Sequence, residues 1–297
     1  MIKKSGIITI CGRPNVGKST LTNAFVGEKV AIVTNKPQTT RNRICGIRNR
    51  GESQFIFVDT PGLHRARTRL GDYMVNVVKE SVADVDAVLL LVEPIPNVGE
   101  PERQLIERVK ALNCPAVLAI NKIDALEQKD KLLEVIQVYS REHNFDAVVP
   151  VSAREGQGVE ELLNVLEAYL PEGPQLFPGG MTSDQPERQM MAEILREKLL
   201  LLLDKEIPHG TAVEITRFVE RDDEVVEVEA TIYCEKNSHK GIIIGKGGGM
   251  LKKASTLARR DMEKFMGTKV FLKTWVKVKE NWRDNPAAIQ NFGYVKE

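Results

Sequence analysis

Aromatic residues make up only 5% of this 297-residue chain, and there are just four cysteines. Cys11, Cys45, Cys114 and Cys234 stand far apart, with no paired spacing. That pattern excludes a zinc ribbon and a disulfide scaffold, so the thiols are expected to be reduced and mostly structural. Long apolar runs are also missing: the five leucines at 199–203 sit between Lys198 and Asp204, which suits a buried helix turn and not a membrane span. The first residues, Met1-Ile2-Lys3-Lys4-Ser5-Gly6, run straight into a candidate strand, so no signal peptide is expected. What remains, 42% hydrophobic and 28% charged, is an ordinary globular composition at a length that suits two domains.

The formal net charge of +1 conceals an asymmetry. Residues 236–280 hold twelve Lys/Arg against three Asp/Glu, while the remainder holds 30 against 38. A basic block in an otherwise acidic chain points to a polyanionic partner, either nucleic acid or an anionic membrane surface.

The chain is organised around Gly12-Arg13-Pro14-Asn15-Val16-Gly17-Lys18-Ser19, which follows the apolar run Ile7-Ile8-Thr9-Ile10-Cys11 and precedes a helical segment from Thr20. Two glycines five apart, followed by Lys-Ser between a strand and a helix, form the phosphate-binding loop pattern. Backbone N–H groups and the helix dipole converge there on a polyphosphate; Lys18 would reach the β- and γ-phosphates and Ser19 would ligate Mg2+.

Further motifs fall in order at strand ends. Residues 30–41 lose periodicity and end in Pro37-Gln38-Thr39-Thr40-Arg41, where Thr40, or failing that Thr39, could meet Mg2+ and the γ-phosphate. Candidate strands at 44–48 and 54–58 lead into Asp59-Thr60-Pro61-Gly62, in which Asp59 could hold the metal and the Gly62 N–H the γ-phosphate. The doubly buried strand pattern at 87–92 recurs at 116–120, before Asn121-Lys122-Ile123-Asp124. The Asp124 carboxylate can accept from both N–H groups of guanine, a pair adenine does not offer; Asn121 would fix the loop and Lys122 lie over the purine. A strand at 147–151 ends in Ser152-Ala153, whose backbone could meet the guanine carbonyl. Helices are expected near 70–82, 100–112, 130–139 and 158–170, the alternation of a doubly wound α/β sheet.

Prolines and glycines accumulate after residue 171, so the chain divides into a first domain at 1–171, a linker at 172–184 and a second domain at 185–297. Asp184 and Glu187 have capping-box spacing, ahead of Met191, Ile194, Leu195, Leu199 and Leu202 at helical intervals. Strand patterns at 213–219 and 225–233 precede Gly245-Lys246-Gly247-Gly248, then a helix carrying Leu257, Ala258 and Met262. A last strand puts Val270, Leu272, Val276 and Val278 on one face. Phe271, Lys273, Trp275, Lys277 and Lys279 fall on the other, which reads as an amphipathic surface rather than a base-stacking platform. A short helix can start at Asp284-Asn285-Pro286.

The first domain resembles a small regulatory-type GTPase, and the wording of its motifs is similar to the Era family. The second resembles a KH domain of the bacterial arrangement (type II, α+β), in which a Gly-x-x-Gly loop approaches the backbone of single-stranded RNA. Ile244, Gly245, Lys246, Gly247, Gly248, Lys252 and Lys253 are the expected RNA contacts. The resemblance covers the whole chain and implies GTP and Mg2+ binding, hydrolysis to GDP and phosphate with Lys18, Thr40 and Gly62 in catalytic roles, and two switch loops. It further implies a monomeric cytoplasmic factor in small ribosomal subunit assembly that binds the 3′ end of the 16S rRNA, with some peripheral contact with the cell membrane. One position departs from a common pattern: the glutamine that orients water in many regulatory GTPases is here Leu63. Water must then be held by backbone groups, by Thr40 or by a monovalent cation; Asn15 resembles an asparagine that supports K+ in some relatives. His64 stands next to Leu63, but loop histidines are commonly just exposed, and His64 is not expected to act as the base. The competing readings are a peripheral membrane GTPase and a GTPase assisting RNA modification.

Overall fold

The computed structural model describes residues 1–62, 68–80, 85–128, 130–221 and 224–294. The chain forms two units, one of Met1–Ala31, Thr40–Arg65 and Met74–Asp184 and the other of Ile32–Thr39, Ala66–Tyr73 and Gln185–Glu297. Leu63 and His64 lie outside the described residues.

The first unit is built on a six-stranded sheet of order β2-β3-β1-β4-β5-β6, comprising β1 (Lys4–Gly12), β2 (Ile44–Arg50), β3 (Ser53–Asp59), β4 (Ala87–Val92), β5 (Ala116–Ile120) and β6 (Ala147–Pro150). Only β2 runs antiparallel to its neighbour. In chain order the helices up to residue 167 are α1 (Lys18–Val26), α2 (Arg69–Glu80), α3 (Glu100–Leu112), α4 (Asp130–Glu142) and α5 (Val159–Glu167), of which α2 is divided between the units at Met74. Every residue of β4 and β5 is buried, as continuous aliphatic runs demand when helices cover both faces. One layer of core lies under α1 and α5 around Leu21, Phe25 and Leu162, and another under α3 and α4 around Ile106 and Val135. Because β1 and β4 are adjacent and parallel, their C-terminal ends open side by side, where ligands of such sheets bind.

Residues 172–184 contain no helix and bond to the first unit: the Gln54 amide oxygen accepts from the N–H groups of Leu176 and Phe177, and Ser183 pairs with Gly46. The expected capping box is not formed. Asp184 Oδ1 accepts from Cys45 N at 3.0 Å instead, and the next helix, α6 (Glu187–Leu202), starts after Pro186 with no side-chain cap. Pro186, with its fixed φ, supplies the start that Asp184 does not.

In the second unit, β7 (Ala212–Glu220) and β8 (Val225–Cys234) pair antiparallel, and β9 (Lys269–Val278) pairs parallel to β8. Between β8 and β9 come α7 (Asn237–Ile244) and α8 (Gly249–Met266). Met191, Ile194, Leu195 and Leu199 of α6 pack with Ala254, Ala258 and Met262 of α8 on the inner sheet face. Leu257 is only partly buried, and of the five leucines Leu201 is half exposed, because a helix turns one position in four away from its core. Val270 and Val276 are buried while Phe271 and Trp275 are exposed, the alternation expected of β9. The C-terminal segment is structural: Asn285 caps α9 (Pro286–Asn291), and Phe292 and Tyr294 pack on the buried Trp282, whose indole N–H donates to Gly210 O. No helix among the described residues is long and apolar enough to cross a membrane.

Candidate nucleotide and RNA sites

The phosphate loop is shaped by close approaches. Gly12 ends β1 where a Cβ would lie 2.6 Å from Leu91 O, and Gly17 adopts φ +104° directly against the Asn121 amide. Pro14 lies against Gly62, and Val16 is buried beneath the loop. The Lys18 ammonium donates to Gly12 O at 3.1 Å and Arg13 O at 2.9 Å. Burial pushes its pKa down and the Asp59 charge opposes this, which makes it a strongly desolvated cation in the loop.

Ser19, Thr40 and Asp59 converge. Ser19 Oγ and Thr40 Oγ1 are 2.8 Å apart. Asp59 is fully buried, yet neither carboxylate oxygen has a hydrogen-bond partner of ordinary geometry among the described residues. Burial raises its pKa, against the pull of Lys18 and the hydroxyls of Ser19 and Thr40. An orphaned carboxylate beside two hydroxyls is a hard oxygen donor set, and its chemistry fits Mg2+, which takes few protein ligands and completes its shell with phosphates and water. No cluster of three or more His, Cys, Asp or Glu competes with it among the described residues. Thr60 Oγ1 donates to Ile10 O, tying this segment to β1. Thr20 follows in the first turn of α1, and Thr39 donates to Lys36 O.

On the base side, Asn121 acts as a tie. Its Nδ2 donates to Val16 O at 2.8 Å and its Oδ1 accepts from Ala153 N at 2.9 Å. Lys122, at φ +63°, donates to Asn15 O and to Glu93. Asp124 accepts from Ser152 Oγ at 2.6 Å and faces Arg154 at 3.3 Å. The Ser152 bond, with Arg154 and Lys122 behind it, holds the carboxyl below its ordinary range, so it stands ready as an ionised acceptor. The N–H groups of Ser152 and Ala153 are given to Gln157 O and Asn121 Oδ1.

In the second unit Gly245 (φ +73°) packs on Met250, whose Cβ would lie 2.7 Å from an added Cβ. Gly247 and Gly248, both at positive φ, have open space where a side chain would stand. Beside this loop lies an open groove lined by Gly248, Leu251, Lys252, Ser255, Thr256 and Arg259, and closed by β9. Lys246 and Lys253 are exposed, and Ile244 is half-buried. The helical interval 248, 252, 255, 259 could have revealed the groove in the sequence, but a solvated helix face has the same signature. Phe271 and Trp275 alternate with Leu272 and Thr274 and so face away from it.

Residues 7–122 match the GTPase family described as 50S ribosome-binding, and residues 206–283 match the KH domain family. The chain is 49% identical to GTPase Era of Ruminiclostridium cellulolyticum over 99% of its length and 98% of the relative's, and 49% identical to that of Clostridioides difficile over 98% of each. Its structure superimposes with a TM-score of 0.95 on an Aquifex aeolicus Era variant bound to GDP.AlF4-, at 37% identity over 99% of this chain and all of that one. The score is again 0.95, at 36% identity and the same coverage, for an Era in complex with MgGDPNP and nucleotides 1506–1542 of 16S ribosomal RNA. At these identities over nearly the whole length of each relative, and with a GTPase and a KH family matched in order along it, the chain belongs to the Era family of GTPases.

Proposed function

We propose that this GTPase is a nucleotide-controlled binder of single-stranded RNA at the 3′ end of the small-subunit rRNA and serves small-subunit assembly. The observation that carries this reading is the pairing of the buried, cation-seeking Asp59 with the open groove beside Gly245, Lys246, Gly247 and Gly248. The GTPase family named for the 50S subunit matches only residues 7–122, whereas the RNA groove lies at 248–274, so that name does not bear on RNA choice.

In hydrolysis, Mg2+ would neutralise charge on the β- and γ-phosphates, held by Ser19, Thr40 and Asp59. Gly12, Arg13, Pro14, Asn15, Val16, Gly17 and Thr20 would frame the phosphates, Lys18 would leave its two carbonyl partners for phosphate oxygens, and the Gly62 N–H would face the γ-phosphate. With Leu63 in the usual glutamine position, we assign water placement to backbone groups and Thr40, with K+ near Asn15 as the cation to test by exchanging Na+ for K+ at equal ionic strength. The RNA reading is tested by measuring affinity for 3′-terminal 16S fragments with a GTP analogue, with GDP and without nucleotide. A nucleotide-dependent affinity is expected; equal affinities in all three states would refute the switch.

A further inference from the structure

Arg13, second in the phosphate loop, could serve in two ways. Its guanidinium could swing onto phosphate oxygens and stabilise transition-state charge, or it could be committed elsewhere. In the structure Arg13 Nη1 donates to Glu102 Oε1 at 2.6 Å, across 89 positions of sequence. Glu102 lies in the first turn of α3, and its side chain is 7% exposed. Its other oxygen has no hydrogen-bond partner among the described residues, and a Cβ on Gly99 would come within 2.8 Å of that oxygen, so the carboxylate is confined. The Glu102 hydrogen bond raises the Arg13 pKa, and the Glu93 charge acts in the same direction. Withdrawing Arg13 would strand a buried carboxylate, which is far costlier than leaving the pair intact. The backbone of the same residue presents the carbonyl that Lys18 Nζ reaches at 2.9 Å. Two positions on, Asn15 O accepts from Lys122.

We propose that Glu102 is a positioning residue for the phosphate loop: by holding the Arg13 side chain against α3, it fixes the backbone on which the phosphate-binding lysine is aligned. Arg13 therefore acts through its tether and not as a transition-state arginine. The loop meets the phosphates that GTP and GDP share, so the tether contributes to binding both nucleotides and little to the chemical step.

The test uses the full chain with Arg13→Gln, Glu102→Gln and the double substitution, reading Kd for GDP and for a GTP analogue, then KM and kcat. Each single change is expected to weaken both nucleotides about ten- to a hundredfold, the range for a hydrogen bond between charged groups. The double variant should be no weaker than the poorer single, and the loss should fall on Kd and KM rather than kcat. Arg13→Gln lies at a half-exposed site and keeps the test open if Glu102→Gln fails to fold. Additive losses, unchanged affinities, or a fall in kcat with GDP affinity intact would each overturn the proposal, the last by making Arg13 a phosphate-contacting residue.

Discussion

Gly62→Ala tests how the γ-phosphate side of the site is built. An added Cβ would stand 2.9 Å from each of Pro14 N, Cα and Cγ, closer than such atoms approach. One side must yield. The phosphate loop is the stiffer side: Asn121 holds Val16 O, Lys122 holds Asn15 O and Glu102 holds the Arg13 side chain. The Pro14 ring also fixes its own φ. Displacement therefore falls on Gly62, away from where a γ-phosphate would lie. Overpacking of this kind costs about 1–3 kcal/mol, or about 5- to 150-fold in an equilibrium constant. Single-turnover hydrolysis and GTP-analogue affinity should fall by that factor, while GDP affinity changes less than about threefold. Adding Pro14→Ala should not rescue the variant, because the clash with the backbone of residue 14 persists when the ring is removed. An equal loss for GDP and GTP, or rescue by Pro14→Ala, would refute the reasoning.

Asp59→Asn should stabilise the nucleotide-free protein at neutral pH and abolish the thermal shift produced by Mg-GTP. The buried carboxyl's pKa is raised, so the wild type carries its charge at a cost above that pKa. The gain should be largest above the raised folded pKa and vanish below the unfolded pKa, where both states bind the proton; a gain independent of pH in melting experiments would count against this origin. Asp124→Asn should shift preference from guanine to xanthine nucleotides in competition binding, because the amide now donates where the carboxylate accepted; unchanged guanine preference would remove Asp124 from its role. Lys246→Asp with Gly247→Asp should abolish RNA binding in gel-shift assays and leave GTP affinity intact, since both residues are exposed beside the groove; equal loss of both activities would show that the second unit had been misread.

Continuous apolar runs were the most legible part of the chain. β4, β5 and α3 begin and end where their patterns do, since burial on both faces and helical periodicity are local properties. Local patterns failed where a distant partner won. Asp184 has the spacing of a helix cap but is drawn off by Cys45, 139 positions away. The Arg13 tether to Glu102 was equally invisible, because nothing in either residue's neighbourhood names the other. The Ser152-Ala153 motif follows the end of β6 as its pattern implies, whereas the partners of its N–H groups, Gln157 O and Asn121 Oδ1, lie too far along the chain for local pattern to name both.

Base selection and phosphate binding are also less separable than their motifs suggest. Asn121 belongs to the base-reading segment, yet one end of its amide holds the phosphate loop at Val16 and the other holds the turn at Ala153. The absence of a Cβ at Gly17 gives that amide room to sit against the loop. Lys122 repeats the arrangement one residue on, with its ammonium on Asn15 O. A base that offers Asp124 no pair of N–H groups therefore forgoes hydrogen bonds on a segment that also braces the phosphate loop. The discrimination should extend beyond the two hydrogen bonds of the base edge, because the wrong base acts on the groups that align the polyphosphate.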